Sequence, residues 1–365
     1  MYTCFNEELI EYQQNCVKFV QELVNQKPCD NVISFGDFYR SLFEKSLIKE
    51  FKQEPQNYYT RLSILTQAVS SFDPALAYAL ICQQIVIEFI AKYTDSTVFN
   101  RYYPNLVEGK MLATYAFHEA QAGSDLTNIL SSINQNSLTG HKTLVTNYNL
   151  ANLYLVLTHD NTFVLVDASN EFDKVRQSPK VSLLGLDTIN FGDLIFDNYP
   201  VDEANIFKFE SNFNSVLNHL FDLGKVLISA ISVGLLETCL SRACSFAKER
   251  QQFGKSISSF QGIQFKLADV DINLSAAKML AYRASWALDT NDAKTRLYAA
   301  MAKSFAGLAA RNYSAEAVGI MGINGIIKSN VMEKLYRDAK VLELILETTE
   351  MQKNIIADAI INDLV

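Results

Sequence analysis

Histidine is scarce in this chain, with four scattered residues among 365. That leaves little from which to build a zinc site, and no metal is expected. The six cysteines, Cys4, Cys16, Cys29, Cys82, Cys239 and Cys244, form no C-x-x-C pair. Several fall within apolar helical patterns, so buried free thiols of an intracellular protein are expected. No basic stripe stands out, and the net charge is −8 with a pI of about 5.2, which argues against a nucleic-acid partner. No apolar run reaches the length of a membrane span. The opening residues, MYTCFNEELIEYQQ, are acidic and lack both the h-region of a secretory signal and the bias of a transit peptide. A cytoplasmic protein with no membrane partner is therefore expected. Glycine is thin as well: 14 residues, roughly 4% against a usual ~7%. There is no internal repeat and no low-complexity linker.

What is present suits two or three domains with a substantial core. Hydrophobic residues make up 49% and charged residues 20%, outside the range of disordered chains. Leu9, Cys16, Val20, Leu23 and Val24 share one helical face, and Lys27-Pro28 should end that helix. Ser34 with Asp37 three residues on reads as a capping box. Asp73-Pro74 reads as N-cap and N1 of a helix that is apolar almost all round, hence a core helix. At Met111 the period changes. LATYAF, NLYLVLT, FVLVDA and DLIFDN are short strand-like runs separated by turn residues. From Val216 the helical period returns in four segments, about 216–249, 258–289, 293–319 and 340–363, which suit an antiparallel four-helix bundle. The order predicts an α+β chain: an N-terminal helical domain over 1–111, a middle β-domain over 112–212 and a C-terminal four-helix bundle over 213–365.

Three motifs stand out in this frame. The stretch Cys244–Asp271 reads as a helix end, a buried polar turn and a new helix, with Gly254 as the stop and Ser258 or Ser259 as the next cap. Its order, Arg-x-x-Phe-Gly-Lys-x-Ile-x-x-Phe-Gln followed by Ala-Asp, resembles a signature of the acyl-CoA dehydrogenase family. Glu333-Lys-Leu-Tyr-Arg-Asp-Ala-Lys340 with Thr348-Thr-Glu-Met-Gln352 resembles that family's C-terminal signature. His118-Glu-Ala-Gln-Ala-Gly-Ser-Asp125 resembles its flavin-binding loop. Together the motifs cover roughly residues 70–365.

The resemblance implies FAD between the β-domain and the bundle. By it, Ser124 would contact the FAD pyrophosphate and the backbone near Phe117 and His118 would line the isoalloxazine. Thr146, in Lys142–Asn147, would hydrogen-bond the flavin, and Leu144 replaces the family's covering tryptophan. Arg250, Phe253 and Gln261 would reach the FAD of a neighbouring subunit in a homodimer or homotetramer. Gly322 keeps one of two family glycines, and Thr348 would touch the pyrophosphate. The substrate would be an acyl-CoA or acyl-carrier-protein thioester, with electron-transfer flavoprotein or oxygen as electron acceptor. The N-terminal domain would wall the acyl pocket without contributing a catalytic group.

Here the sequence departs from the pattern. The usual base, six residues after Lys340, is Leu346, and the alternative position on an earlier helix is Gly224. Glu347 is the nearest carboxylate, yet one residue of regular helix turns a side chain by ~100°. His118, where the family has threonine, and Asp222 are the other candidate proton carriers. The expectation is a dehydrogenase with an atypical or absent base, open to thioesters bearing an α-amino or α-hydroxyl group. The alternative is a related flavoprotein that binds or regulates without turnover.

Overall fold

The computed structural model describes residues 6–26, 34–48, 57–169 and 175–362. Five helices come first: α1 (Glu7–Gln26), α2 (Phe35–Glu44), α3 (Tyr58–Phe72), α4 (Pro74–Tyr93) and α5 (Ser96–Val107). Ser34 caps α2 by accepting from the Asp37 amide at 3.2 Å, as the capping box predicts. Asp73 accepts from the Ala75 amide at 2.9 Å and starts α4, with Pro74 at its first position. Every residue of α4 from Pro74 to Ile90 is buried, which its apolar circumference requires. Leu9, Cys16 and Val20 of α1 are buried and Leu23 partly so. The predicted stop at Lys27-Pro28, and Cys4 and Cys29, lie outside the described residues. Cys16, Cys82 and Cys239 are buried free thiols, and Cys244 is free and partly exposed.

The middle of the chain makes two four-stranded sheets. The first joins β1 (Ala113–Ala116), β4 (Leu153–Thr158), β5 (Thr162–Asp167) and β8 (Ile206–Lys208). Its β1–β4 pair is parallel and its other pairs are antiparallel. The second, antiparallel throughout, joins β2 (Ser132–Asn134), β3 (Ser137–Thr146), β7 (Phe191–Pro200) and β6 (Arg176–Gln177). All four predicted strand-like runs are strands. The register of β3 against β7 shifts between Lys142 and Val145, a bulge that holds Leu144 at φ +53°.

Long helices follow: α6 (Phe213–Glu249), α7 (Gln261–Asp289) and α8 (Thr295–Met321). The final predicted segment is two helices, α9 (Val331–Leu344) and α10 (Thr349–Ile361), broken at residues 345–348. Helix α8 packs on α6, α7, α9 and α10. By length and hydropathy α4 and α6 could each cross a membrane, contrary to the sequence-level reading, but their apolar windows are 94% and 83% buried within the protein.

The Cys244–Asp271 turn differs from its sequence reading. Helix α6 stops at Glu249, and Gly254 belongs to a hairpin between β9 (Gln251–Gln252) and β10 (Lys255–Ser256). Phe253 and Gly254 hold φ of +51° and +79°, the pattern of a two-residue hairpin turn. Neither Ser258 nor Ser259 caps α7: Ser256 caps a short 3-10 turn, and Phe260 occupies the N-cap position of α7. The turn is exposed, so its polar side chains are solvated and the expected burial cost does not arise.

Candidate functional site

A cavity of about 690 Å³ opens where the β-domain, the α9–α10 break and α4 meet. Its wall includes Phe117, His118, Glu119, Gly123 and Ser124 from the loop after β1, and Thr143–Thr146 from the β3 bulge. Leu183, Leu184 and Phe191 extend it. Val341 and Leu344–Thr348 close it from the C-terminal helices, and Tyr78 enters from α4. The bulge has a local cause. Asp193 accepts from the Leu144 amide at 3.2 Å, and the half-exposed Leu144 side chain stands at the cavity wall.

Each wall is fixed by buried charge. Glu119 accepts from Lys142 Nζ at 2.7 Å, from Ser131 Oγ at 2.5 Å and from the Leu130 and Ser131 amides at 2.9 and 3.0 Å. Burial alone would raise its carboxyl pKa; the lysine and these donors bring it to about 2. Burial also draws Lys142 down to about 8 against the pull of Glu119. Lys142 further donates to the Phe117 carbonyl at 3.2 Å, which sets the backbone of the cavity loop.

The C-terminal signature works as a clamp. Arg337 donates to the Leu184 carbonyl at 2.7 Å and pairs with Asp187 at 2.6 Å. Asp338 accepts from the Leu186 amide at 2.6 Å, and Lys334 bridges Asp338 and the α4 cap Asp73. Gly185 lies so close to α9 that a Cβ there would fall 2.7 Å from the Arg337 backbone. These charges place the Leu183–Leu184 wall and touch no reaction space themselves.

At the break, Glu347 pairs with Lys225 Nζ at 2.9 Å and accepts from Gln352 at 3.2 Å. Burial would raise its pKa, but Lys225 and Gln352 hold it below the usual carboxylate value. Lys225 also bonds Asp222 at 3.1 Å. Asp222 is buried, which raises its pKa, and is not among the lining residues. Lys303 donates to the Glu343 and Glu347 carbonyls, and burial lowers it to about 8. Sequence reasoning did not assign Lys225 or Lys303 to the site, although each is the one lysine in a long, mostly apolar helical run, Lys225 with Asp222 three residues before it. His118 lines the cavity with its pKa lowered by burial and by Lys142, while Glu347 pulls it upward.

The structure thus gathers Phe117, His118, Ser124, Thr146, Glu347 and Thr348 around one cavity. Arg250, Phe253, Gln261 and Gly322 lie outside it on exposed surface, Phe253 being 92% exposed.

The model of the acyl-CoA dehydrogenase C-terminal domain matches residues 213–361. An acyl-CoA dehydrogenase of Bacillus subtilis (strain 168) is 34% identical over 270 residues, 70% of each chain. The chain belongs to the acyl-CoA dehydrogenase family. A 3-(aryl)acrylate reductase of Clostridium sporogenes is 30% identical over 273 residues, 70% of this chain and 71% of that one. The solved structure of the prolyl acyl carrier protein oxidase AnaB shares the fold, with TM-score 0.87 and 23% identity over 98% of this chain and 100% of that one.

Leu346 and Gly224, the two positions at which the sequence reading looks for the base, are adjacent in space and both apolar. Leu346 lines the cavity and reaches over Gly224 of α6. The helical-rotation argument about Glu347 does not apply, because residues 345–348 are not helical and Leu346 holds φ +69°. Leu346 and Glu347 both line the cavity, but the Glu347 carboxylate is held by Lys225.

Proposed function

We propose that this protein is an FAD-dependent oxidoreductase acting on an acyl thioester carried by CoA or a carrier protein, without the usual carboxylate base. The observation that carries the reading is the single cavity walled by the loop after β1, the β3 bulge and the α9–α10 break, with Leu346 on Gly224 at its base positions. The donors there fit a flat ring with a phosphate tail. The Ser124 and Thr348 hydroxyls and the Thr146 side chain line one continuous space, and a Cβ on Gly123 would meet nothing within 4 Å. When bound, FAD supplies a two-electron acceptor for hydride from the thioester.

The chain's own part is to bind, orient and exclude water. Lys142 and Glu119 hold the loop that carries Phe117 and His118. Leu144, Leu183, Leu184, Leu344 and Leu346 make the space apolar. His118 is the lining group suited to exchange a proton near neutral pH, since Glu119 and Glu347 are each held by a lysine. A substrate with an α-amino or α-hydroxyl group needs only such a weak base, because its heteroatom proton becomes strongly acidic as hydride leaves the α-carbon for the flavin and the C=N or C=O bond forms. Electrons would pass on to electron-transfer flavoprotein or to oxygen.

A second copy would complete the cofactor site with Arg250, Phe253, Gln261 and the Gly322 turn. The exposed apolar residues Phe265, Ile272, Met279 and Trp286 of α7 support such an assembly, since they recur every seven residues on one face. The second reading, a thioester-binding flavoprotein without turnover, draws on the same Leu346–Gly224 contact. The deciding experiment is the visible spectrum of the purified protein, followed by anaerobic bleaching with a panel of thioesters. A colourless protein overturns the flavin reading. A yellow protein that no thioester bleaches, yet that binds thioesters, transfers support to the second reading.

A further inference from the structure

Helix α9 ends at Leu344 and α10 starts at Thr349. The break between them, Ile345–Thr348, lies on the cavity wall along its whole length. A helix end leaves its last carbonyls without intrahelical partners. Here the Val341 carbonyl accepts from the Ile345 amide at 2.9 Å, and the Ile345 carbonyl from the Glu347 amide at 3.0 Å. The Glu343 and Glu347 carbonyls, one on each side of Leu346, both accept from Lys303 Nζ of α8, the first at 3.3 Å.

Lys303 is 3% exposed. It sits among the buried residues Ala299, Ala300, Ala302, Ala306 and Gly307. These small residues let α8 approach the end of α9: a Cβ on Gly307, one turn on, would lie 3.6 Å from the Glu343 Cα. An ammonium in such a place is costly unless it is paired or hydrogen-bonded. The neighbouring carboxylates are already taken, Glu343 by Arg311 and Lys340 at 3.1 and 2.9 Å and Glu347 by Lys225 at 2.9 Å. The direct partners of Lys303 are therefore main-chain oxygens, at the negative end of α9 where a cation is favoured. Methionine would fill the same space without desolvating a charge, so packing does not account for a lysine here. Between its two anchor points Leu346 holds φ +69°, a region that a bulky residue enters only under constraint.

We propose that Lys303 is a positioning residue for the cavity: its buried ammonium ties the Glu343 and Glu347 carbonyls across the break, and so holds Leu346 on Gly224 and the Thr348 hydroxyl at the wall. The consequence for the cofactor rests on the FAD reading; the tie itself does not. Lys225 holds the Glu347 side chain, and Lys303 holds the main chain on either side of Leu346.

The test compares the full-length protein with Lys303→Met. Hydrogen exchange read by mass spectrometry should rise about tenfold or more in the peptide 341–352, the factor for losing a charged hydrogen bond, and far less in peptides of α3 and α7. The dissociation constant of added FAD, measured on stripped protein at a temperature where both proteins are fully folded, should rise about tenfold as well. Tyr12→Phe is the control for stability alone, since it removes a buried hydrogen bond to the Leu47 carbonyl in the N-terminal domain. It should leave both readings within about twofold of the parent. If Lys303→Met does not fold, Lys303→Gln, a shorter and neutral donor, is used with the same expectation. Exchange that rises evenly along the chain overturns the proposal. So does FAD affinity that is unchanged in a folded variant, because the break would then move without consequence for the cavity. A parent protein that takes up no FAD sinks the flavin reading instead, and the exchange at 341–352 then decides the tie by itself.

Discussion

The Leu346 Cδ2 atom lies 2.7 Å from the point where a side chain on Gly224 would place its Cβ. The two positions proposed for the base are thus one packed contact, and the bulk of Leu346 leaves no room for a side chain at 224. Gly224→Glu alone should lower the melting temperature, because Leu346 occupies the space. Gly224→Glu with Leu346→Gly should recover it, since glycine also relieves the φ of +69° at position 346. The double variant should then bleach with a saturated acyl thioester 10²–10⁴-fold faster than the parent protein, the usual contribution of a placed base. An unchanged rate in a folded, yellow double variant would count against the cavity as a reaction centre.

Glu347 is held as an ion-pair partner. Glu347→Gln should cost about 3–5 kcal/mol in urea unfolding, the scale for removing one member of a buried pair. Lys225 keeps Asp222 as a second partner, which puts the loss at the lower end. In a double-mutant cycle with Lys225→Met the two changes should couple by 0.5 kcal/mol or more. If Glu347→Gln abolishes turnover with stability intact, Glu347 is a base after all.

Glu119 makes stability depend on acid. Its pKa is about 2 in the folded protein, well below the ordinary 4.5. Its contribution is therefore complete above about pH 4.5 and lost as pH falls through about 2. Glu119→Gln should destabilise by about 3 kcal/mol at pH 7. The gap between the two proteins should narrow as pH falls below about 4.5. Denaturant titrations at stepped pH measure this directly, and a gap that stays constant to acid would refute the assignment.

If neutral His118 accepts the proton, turnover of an α-amino or α-hydroxy thioester should rise with pH through a midpoint below 6.5, because burial and Lys142 lower its pKa. His118→Gln should flatten that limb while flavin stays bound. A limb that persists in the variant assigns the proton to another group.

Phe253 at the hairpin turn is 92% exposed, its ring set edge-on to Phe260, and Arg250 just before the hairpin is exposed too. Phe253→Ala should leave unfolding of the subunit within about 0.5 kcal/mol of the parent, as surface changes do. The same variant should retain less flavin and sediment as a smaller assembly. Full flavin occupancy in a monomeric Phe253→Ala protein would remove this surface from the cofactor site.

The sequence alone determined what is local or periodic. The Ser34 and Asp73 caps, the all-apolar α4 and the four short strand-like runs bounded by turn residues follow from one segment's own hydrogen bonds and burial. The family motifs were legible for the same reason, as short runs in fixed order. Tertiary structure decided everything that depends on two distant segments. Residue 346 reads as an empty base position, but only packing brings it onto Gly224. Glu347 reads as the nearest carboxylate, yet Lys225, more than a hundred residues away, holds it in an ion pair. The hairpin at Phe253–Gly254 could not be told from a helix cap, because glycine serves positive φ in both. The tie from Lys303 to the α9–α10 break had no signal at its far end, since every residue carries the backbone carbonyl that the lysine meets there.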